Sequence, residues 1–230
     1  MTTATEPSLG TGGYHLDGRV YPRVTSILQA VGNPGLSNWK AKVGYAESER
    51  LARLGAELGT RVHRACWAIA TGEPAERVLV SLAALHDDDL VPYVEAFAEW
   101  FADSVLEVLG AERVVWSERY VYAGTADLLA VLYDGRRAVL DLKTSGSSLS
   151  DTYRLQLSAY QLALAERDET YDARMVLWLP SSKPGRLIVR EYDDHDADYR
   201  AWRAALAIYR WQQGCRDDWK TDKRRLEEAV

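Results

Sequence analysis

Residues 122–144 read YAGTADLLAVLYDGRRAVLDLKT, and three of its six charged side chains stand within its apolar runs. Asp127 precedes Leu128-Leu129-Ala130-Val131-Leu132, while Asp141 and Lys143 close Ala138-Val139-Leu140-Asp141-Leu142-Lys143. The β-branched and aliphatic content predicts two strands, Thr125–Tyr133 and Arg137–Lys143, parted by turn residues at Asp134-Gly135. A charge inside a core strand is costly unless it is paired or bound to a cation. Three of them in neighbouring strands therefore mark a site.

Asp141 and Lys143 are two residues apart, so both leave the same face of their strand, and the Leu142 carbonyl between them is a further oxygen at the strand edge. A two-residue loop formed by Asp134 and Gly135 sets Asp127 opposite Leu142 and turns the two acids to opposite faces. A shared site requires an odd-length loop or a bulge that pairs 127 with 141, and that irregularity is expected here. Two neighbouring carboxylates make a hard-oxygen site suited to Mg²⁺ or Mn²⁺. A lysine beside it can orient or help deprotonate a water and offset charge in a phosphoryl-transfer transition state. The same residues also fit a structural Asp–Lys or Asp–Arg bridge. The tripeptide by itself says little, since Asp218-Trp219-Lys220 repeats it in the charged tail and is given no role.

Outward from this stretch, Gln156 and Tyr160 are four apart on a helix expected over Asp151–Arg167 and share a face; ordinary packing fits them equally. His63 flanks the apolar stripe Leu51, Leu54, Leu58, Val62, Ala65, Ile69 of a helix over Arg50–Thr71, where a satisfied core histidine is the plainer reading. Glu118, before the first acidic strand, fits an exposed, a structural or a site-facing role. Tyr14–Tyr21 reads as a hairpin around Asp17-Gly18, and Val24–Ala30 as a short helix. Helical sequence resumes through Trp39–Ser48 after Pro34-Gly35. A second long helix is expected over Leu90–Leu109 and ended by Gly110. Further strands are expected at Val114–Tyr122, Met175–Pro180 and Arg186–Tyr192, with a last helix over Ala197–Gln213. Asp87-Asp88-Asp89 reads as N-terminal capping and dipole compensation. Trp100 and Trp202 read as core residues. Arg136, Arg137, Arg154, Lys183 and Arg186 flank the site in sequence and are candidate phosphate contacts.

The pattern predicts one mixed α/β domain over residues 14–214, after a flexible Thr-, Gly- and Ala-rich N-terminus over 1–13 and before a charged C-terminal tail over 215–230. In 230 residues, 47% hydrophobic and 27% charged side chains suffice for a core and exclude a disordered or collagen-like chain. With two cysteines, Cys66 and Cys215, the chain cannot by itself build a four-cysteine iron–sulfur cluster. The net charge of −6 argues against coating DNA by bulk electrostatics, though a local basic groove remains compatible with a nucleic-acid enzyme. No apolar run is long enough for a membrane span. Residues 1–13 lack the basic and apolar regions of a signal peptide, which points to the cytoplasm of a bacterial or phage-infected host cell.

The ordered set His63, Glu118, Gly124-Thr125-Ala126-Asp127, Asp141-Leu142-Lys143-Thr144 and Gln156-x-x-x-Tyr160 resembles the PD-(D/E)XK nuclease superfamily. Within it the set resembles the RecB-type branch of phage and mitochondrial genome-maintenance exonucleases without an iron–sulfur cluster. Tyr21-Pro22-Arg23-Val24-Thr25-Ser26-Ile27-Leu28 is similar to that branch's N-terminal motif, whereas Ala126 stands where the family name has proline. The resemblance implies a restriction-endonuclease-like α/β (α+β) core, a central mixed β-sheet flanked by helices with an N-terminal helical elaboration. It implies a Mg²⁺- or Mn²⁺-dependent deoxyribonuclease acting on DNA ends or single strands in recombination, repair or phage DNA processing, with a recombination or helicase protein as partner. His63, Asp127, Asp141 and the Leu142 carbonyl are implied metal ligands, Lys143 the catalytic lysine, and Gln156 and Tyr160 residues that steady the site, with Glu118 a further candidate. A structure-selective endonuclease with the same site, or a non-catalytic DNA-binding or assembly protein retaining the fold, are the alternatives.

Overall fold

The computed structural model describes residues 6–32, 34–146 and 148–228, without the side chains of residues 34 and 217–228. It opens on an antiparallel meander of β1 (Ser8–Gly10), β2 (Gly13–Leu16) and β3 (Arg19–Tyr21). The expected hairpin is there: Leu16 pairs with Arg19, and Asp17 and Gly18 take the two positive φ angles, 49° and 74°, of a type I′ turn. The flexible N-terminus needs correction at Ser8–Gly10, which pair with β2 through a second tight turn at Thr11-Gly12. That turn demands glycine: Gly12 has φ 80°, and a Cβ on Gly13 would lie 2.3 Å from the Tyr21 carbonyl oxygen. Residues 1–5 of that segment lie outside the described residues.

Helices α1 (Val24–Gln29), α2 (Pro34–Val43) and α3 (Tyr45–Ala70) follow, α2 and α3 divided by Gly44 at φ 91°. Helix α4 (Ala75–Ala84) has no counterpart in the sequence reading. After a 3₁₀ turn at Asp88–Leu90 comes α5 (Val91–Ser104). The acidic triplet caps nothing through its side chains; instead Asp87 and Asp89 bind Arg61 of α3 at 2.5 and 2.8 Å, tying the turn to that helix.

The main sheet has the order β4 (Val105–Ser117), β5 (Tyr122–Leu132), β6 (Arg137–Lys143), β7 (Ala173–Trp178), β8 (Ile188–Glu191). Only β6 and β7 run parallel, joined by a crossover through α6 (Thr152–Ala165). The helix expected through Leu109 in fact stops at Ser104, and Val105–Gly110 begin β4. Two register shifts, between Val105 and Glu107 and between Val108 and Gly110, break the two-residue alternation there. The apolar spacing consequently mimics a helix, and Gly110 marks an irregular strand rather than a helix end. The last helix, α7 (His195–Glu228), runs well beyond Gln213 into the predicted tail.

Both sheet faces are covered. Leu128, Ala130, Leu140 and Leu142 pack with Val62, Cys66, Val94 and Phe97 of α3 and α5. Leu129, Val139 and Val176 pack on the other face with Leu157, Ala163, Trp202 and Leu206 of α6 and α7. Trp202 is buried as expected, its ring meeting Tyr122 edge-on at 5.0 Å, and Trp100 is partly buried against the first cluster. Cys66 is buried and Cys215 exposed, both as free thiols. Among the described residues no helix is long and apolar enough to cross a membrane.

Candidate functional site

The loop between β5 and β6 is irregular in the way a shared site requires. Leu132 N–H donates to the Arg136 carbonyl and Gly135 N–H to the Leu132 carbonyl, leaving Tyr133, Asp134 and Gly135 as a three-residue loop with Gly135 at φ 86°. Leu128 therefore pairs with Leu140 and Val131 with Arg137, the register that sets 127 opposite 141. Asp127 and Asp141 consequently fall on one face. Pairing ends at Leu128 and Leu140, and past it the Asp127 carboxylate accepts the Leu142 N–H at 2.9 Å. The acid side chain takes over the ladder, and the strands part around it at the carboxyl end of β6.

Asp141 is the most enclosed group, its side chain 1% exposed. Gln156 Nε2 of α6 donates to Asp141 Oδ1 at 2.9 Å and lies 3.0 Å from Tyr160 Oη, so the helical pair stands beside this acid. Gly124 makes room for that support, since a Cβ there would stand 2.5 Å from Tyr160 Cε1. Lys143 Nζ lies 2.5 Å from Asp141 Oδ2 and 5.0 Å from the centre of the Tyr153 ring. Lys143 and Asp141 form a close ion pair, and Asp141 Oδ2 faces no other partner among the described residues. Burial by itself would lower the Lys143 pKa, but Asp141 and Asp127 outweigh it and hold the ammonium above its ordinary range. Burial, then Asp141, pushes the Asp127 carboxyl up to about 8.

Helix α3 delivers His63 from the opposite side. Gly59, one turn earlier, allows the approach: a Cβ there would meet Thr144 Oγ1 at 2.9 Å. His63 Nε2 sits 2.8 Å from the Leu142 carbonyl oxygen and Nδ1 4.0 Å from Asp127 Oδ2. Burial and then Lys143 lower its pKa, favouring the neutral ring. A carbonyl only accepts, so the single proton belongs on Nε2 and the Nδ1 lone pair is left toward Asp127.

Two carboxylates, a carbonyl oxygen and an imidazole are donors that a hard divalent cation takes. Asp141 Oδ2 makes no hydrogen bond, and burial together with the neighbouring Asp141 raises Asp127, so two close, enclosed acids share this face with one ammonium between them and solvent. The donor set therefore fits such an ion, although Lys143 now sits against the oxygen an ion would use. Among the described residues no three His, Cys, Asp or Glu groups converge closely enough to ligate one ion as the side chains stand.

Glu118 is not part of this constellation. Its side chain is 70% exposed and pairs with Arg167 at 3.3 Å, beside Trp116. The acid that does approach is Glu112, which lies in β4 between Ala111, paired with Leu128, and Arg113, paired with Ala126. It therefore stands level with Asp127, raises the pKa of both Asp127 and His63, and has φ 49°. A charged residue among apolar ones in β4 was its only sequence signal, and the misread helix boundary hid it. Tyr153 and Gly59 were missed as well; their spacings of three before Gln156 and four before His63 were the available signs.

The site opens into a cleft of about 2230 Å³. One wall is α2 and α3, with Leu36, Trp39, Leu51, Leu54 and Leu58; Leu51 and Leu54 of the α3 apolar stripe are exposed to the cleft, while Leu58 both lines it and packs against the core. Residues 144–155, without 147, and the start of α7 form the other. Of the five basic candidates only Arg154 lines the cleft, along with Arg64 and Lys143. Arg136 and Arg137 sit where β6 begins, away from Asp141, where Arg136 pairs with Asp134 and Glu191 and Arg137 lies over Tyr171.

No curated protein gives a significant sequence match. Among solved structures, the protein SSO0001 aligns with a TM-score of 0.42 at 15% identity, over 84% of this chain and 79% of its own. A provisionally named exonuclease from Eubacterium rectale aligns with a TM-score of 0.42 at 11% identity, over 68% and 67%. Likenesses this distant carry no functional argument. The sequence model of the PD-(D/E)XK nuclease superfamily matches residues 38–224, which include the acids, the lysine and the flanking helices of the cleft, and the chain belongs to that superfamily.

Proposed function

We propose that this nuclease hydrolyses DNA phosphodiesters with Mg²⁺ or Mn²⁺, working from strand ends, as in the RecB-type branch. The observation that carries the reading is the convergence of Asp127, Asp141 and Lys143 where β5 and β6 part at the floor of an open cleft. Asp127, Asp141, the Leu142 carbonyl and His63 would hold the cation, which when bound polarises a phosphate and lowers the pKa of a water. Lys143, held charged by its acidic neighbours, orients the attacking water and offsets charge on the phosphate. Gln156 fixes the Asp141 carboxylate, and Tyr160 fixes Gln156. The Nε2–H bond to Leu142 fixes the His63 ring. The two-walled cleft suits a strand end fed past the apolar face of α2 and α3, and a helicase or recombination protein would supply that end from duplex DNA.

The test is incubation with end-labelled single- and double-stranded DNA, with and without Mn²⁺. The intact chain should cut only with the ion and release short products early. Asp141→Asn and Lys143→Ala should lose cleavage with the fold retained, and undiminished cleavage by both variants refutes the assignment. Long internal fragments at early times would instead identify an endonuclease.

A further inference from the structure

Resting on the nuclease reading, we propose that Arg154 grips a backbone phosphate of the bound strand, and that Asp198 and Arg174 position it. Arg154 stands in the first turn of α6, two residues before Gln156, and lines the cleft with a side chain 34% exposed. Its Nε is shut off from solvent and makes no hydrogen bond but is ion-paired with Asp198 Oδ1 at 2.5 Å, and the guanidinium sits 5.4 Å from the centre of the Tyr192 ring. The two terminal nitrogens make no hydrogen bond to protein among the described residues, yet neither is a buried atom. One end of the guanidinium is thus anchored while the other presents paired N–H groups to the cleft, the geometry that takes two phosphate oxygens at once.

The anchor is built from behind. The Asp198 side chain is 4% exposed, and its second oxygen receives Arg174 Nη2 at 2.9 Å. Arg174 is fully buried in β7, and its Nε and Nη1 make no hydrogen bond. Burying an arginine with unsatisfied donors is costly, and a simple pin between α6 and α7 needs only Arg154 and Asp198. The second arginine holds the carboxylate from the sheet side, which keeps Arg154 from folding down onto the surface. Of the other acids on this wall, Asp194 is engaged in capping the Ala197 N–H at 3.0 Å, and Asp151 stands at the start of α6. The other cleft cations are Lys143, committed to Asp141, and Arg64 on the α3 wall.

The test measures binding of an end-labelled single-stranded oligonucleotide to the full chain in the cleavage-silenced Lys143→Ala background. A neutral methylphosphonate replaces each phosphate in turn. Arg154→Ala should weaken binding about tenfold, the size of one charge-assisted contact. It should also flatten the log–log salt dependence by about 0.7, the share of one phosphate on a single strand. One methylphosphonate position should weaken binding with Arg154 present and be silent in Arg154→Ala. Asp198→Asn, which keeps the arginine charge, should lose affinity with the salt slope intact. If Arg154→Ala does not fold, Arg154→Lys carries the comparison: it keeps the ion pair with Asp198 but lacks the fork, and wild-type affinity in it overturns the proposal. So does a methylphosphonate scan in which no position distinguishes the two proteins. Failure of the unmodified chain to cleave DNA would sink the nuclease reading alone, because the Arg154 result is read from binding.

Discussion

Replacing Gly124 by alanine tests how the support behind Asp141 is built. The backbone at Gly124 has no positive φ, so the substitution carries no conformational strain. By itself, Gly→Ala at such a position stabilises a protein by about 0.4–1 kcal/mol through the unfolded chain. The structure reverses the sign. The new Cβ would lie 2.5 Å from Tyr160 Cε1 and 3.2 Å from both Cζ and Oη. Restoring an ordinary 3.4 Å contact moves the ring by about 0.9 Å. Tyr160 is buried at 2% exposure, so the ring has little room, and overpacking of this kind costs about 1–3 kcal/mol. The same displacement stretches the 3.0 Å contact between Gln156 Nε2 and Tyr160 Oη beyond hydrogen-bonding range and frees the amide that holds Asp141 Oδ1. Loss of such outer support typically lowers metal affinity or activity about 10–100-fold. Thermal unfolding should show a Tm lower by about 2–4 °C for each kcal/mol lost, and kcat on labelled DNA should fall at least tenfold. In a Tyr160→Ala background, where the clash is absent, Gly124→Ala should leave kcat almost unchanged and raise Tm by the small glycine effect, about 0.4–1 kcal/mol. A Gly124→Ala protein with raised Tm and unchanged kcat would refute the reasoning.

Two further perturbations read the charges around the acids. Lys143→Ala removes the ammonium that now occupies Asp141 Oδ2, so Mn²⁺ titrated by calorimetry should bind this variant more tightly than wild type even though cleavage is lost; weaker or equal binding contradicts a cation site at these acids. Glu112→Gly relieves a left-handed conformation worth about 1–2 kcal/mol and incurs a glycine entropy cost of about 0.5–1 kcal/mol. The net, about 0–1.5 kcal/mol, should appear as a Tm that is unchanged or raised by up to about 6 °C, and a fall in Tm would mean that the Glu112 side chain contributes more to the fold than its backbone takes away.

The middle of the chain was legible because its signals are local. Apolar strands interrupted by Asp127, Asp141 and Lys143, with Gln156 and Tyr160 one helical turn apart, fix which groups can share a face, and strand parity required an odd loop between β5 and β6. The three-residue loop ending at Gly135 meets that requirement. Sequence reading failed where the period itself is broken. Bulges in β4 turned a strand into an apparent continuation of α5 and concealed Glu112. The N-terminal glycines looked like a flexible lead because their purpose, a close approach to the Tyr21 carbonyl, lies across a sheet.

Sequence by itself determined the ordered set of chemical groups, the faces they share within each element, and the family. Only the tertiary structure decided which of them meet: it brought His63 to Leu142 across 79 positions and sent Glu118 to Arg167. It also turned Leu51 and Leu54 of the α3 stripe toward the cleft and placed Arg154 there on a carboxylate held by a buried arginine. The reason is physical. Periodicity constrains a side chain relative to its own backbone, whereas a contact between elements depends on where glycines such as Gly59 and Gly124 let backbones and rings approach.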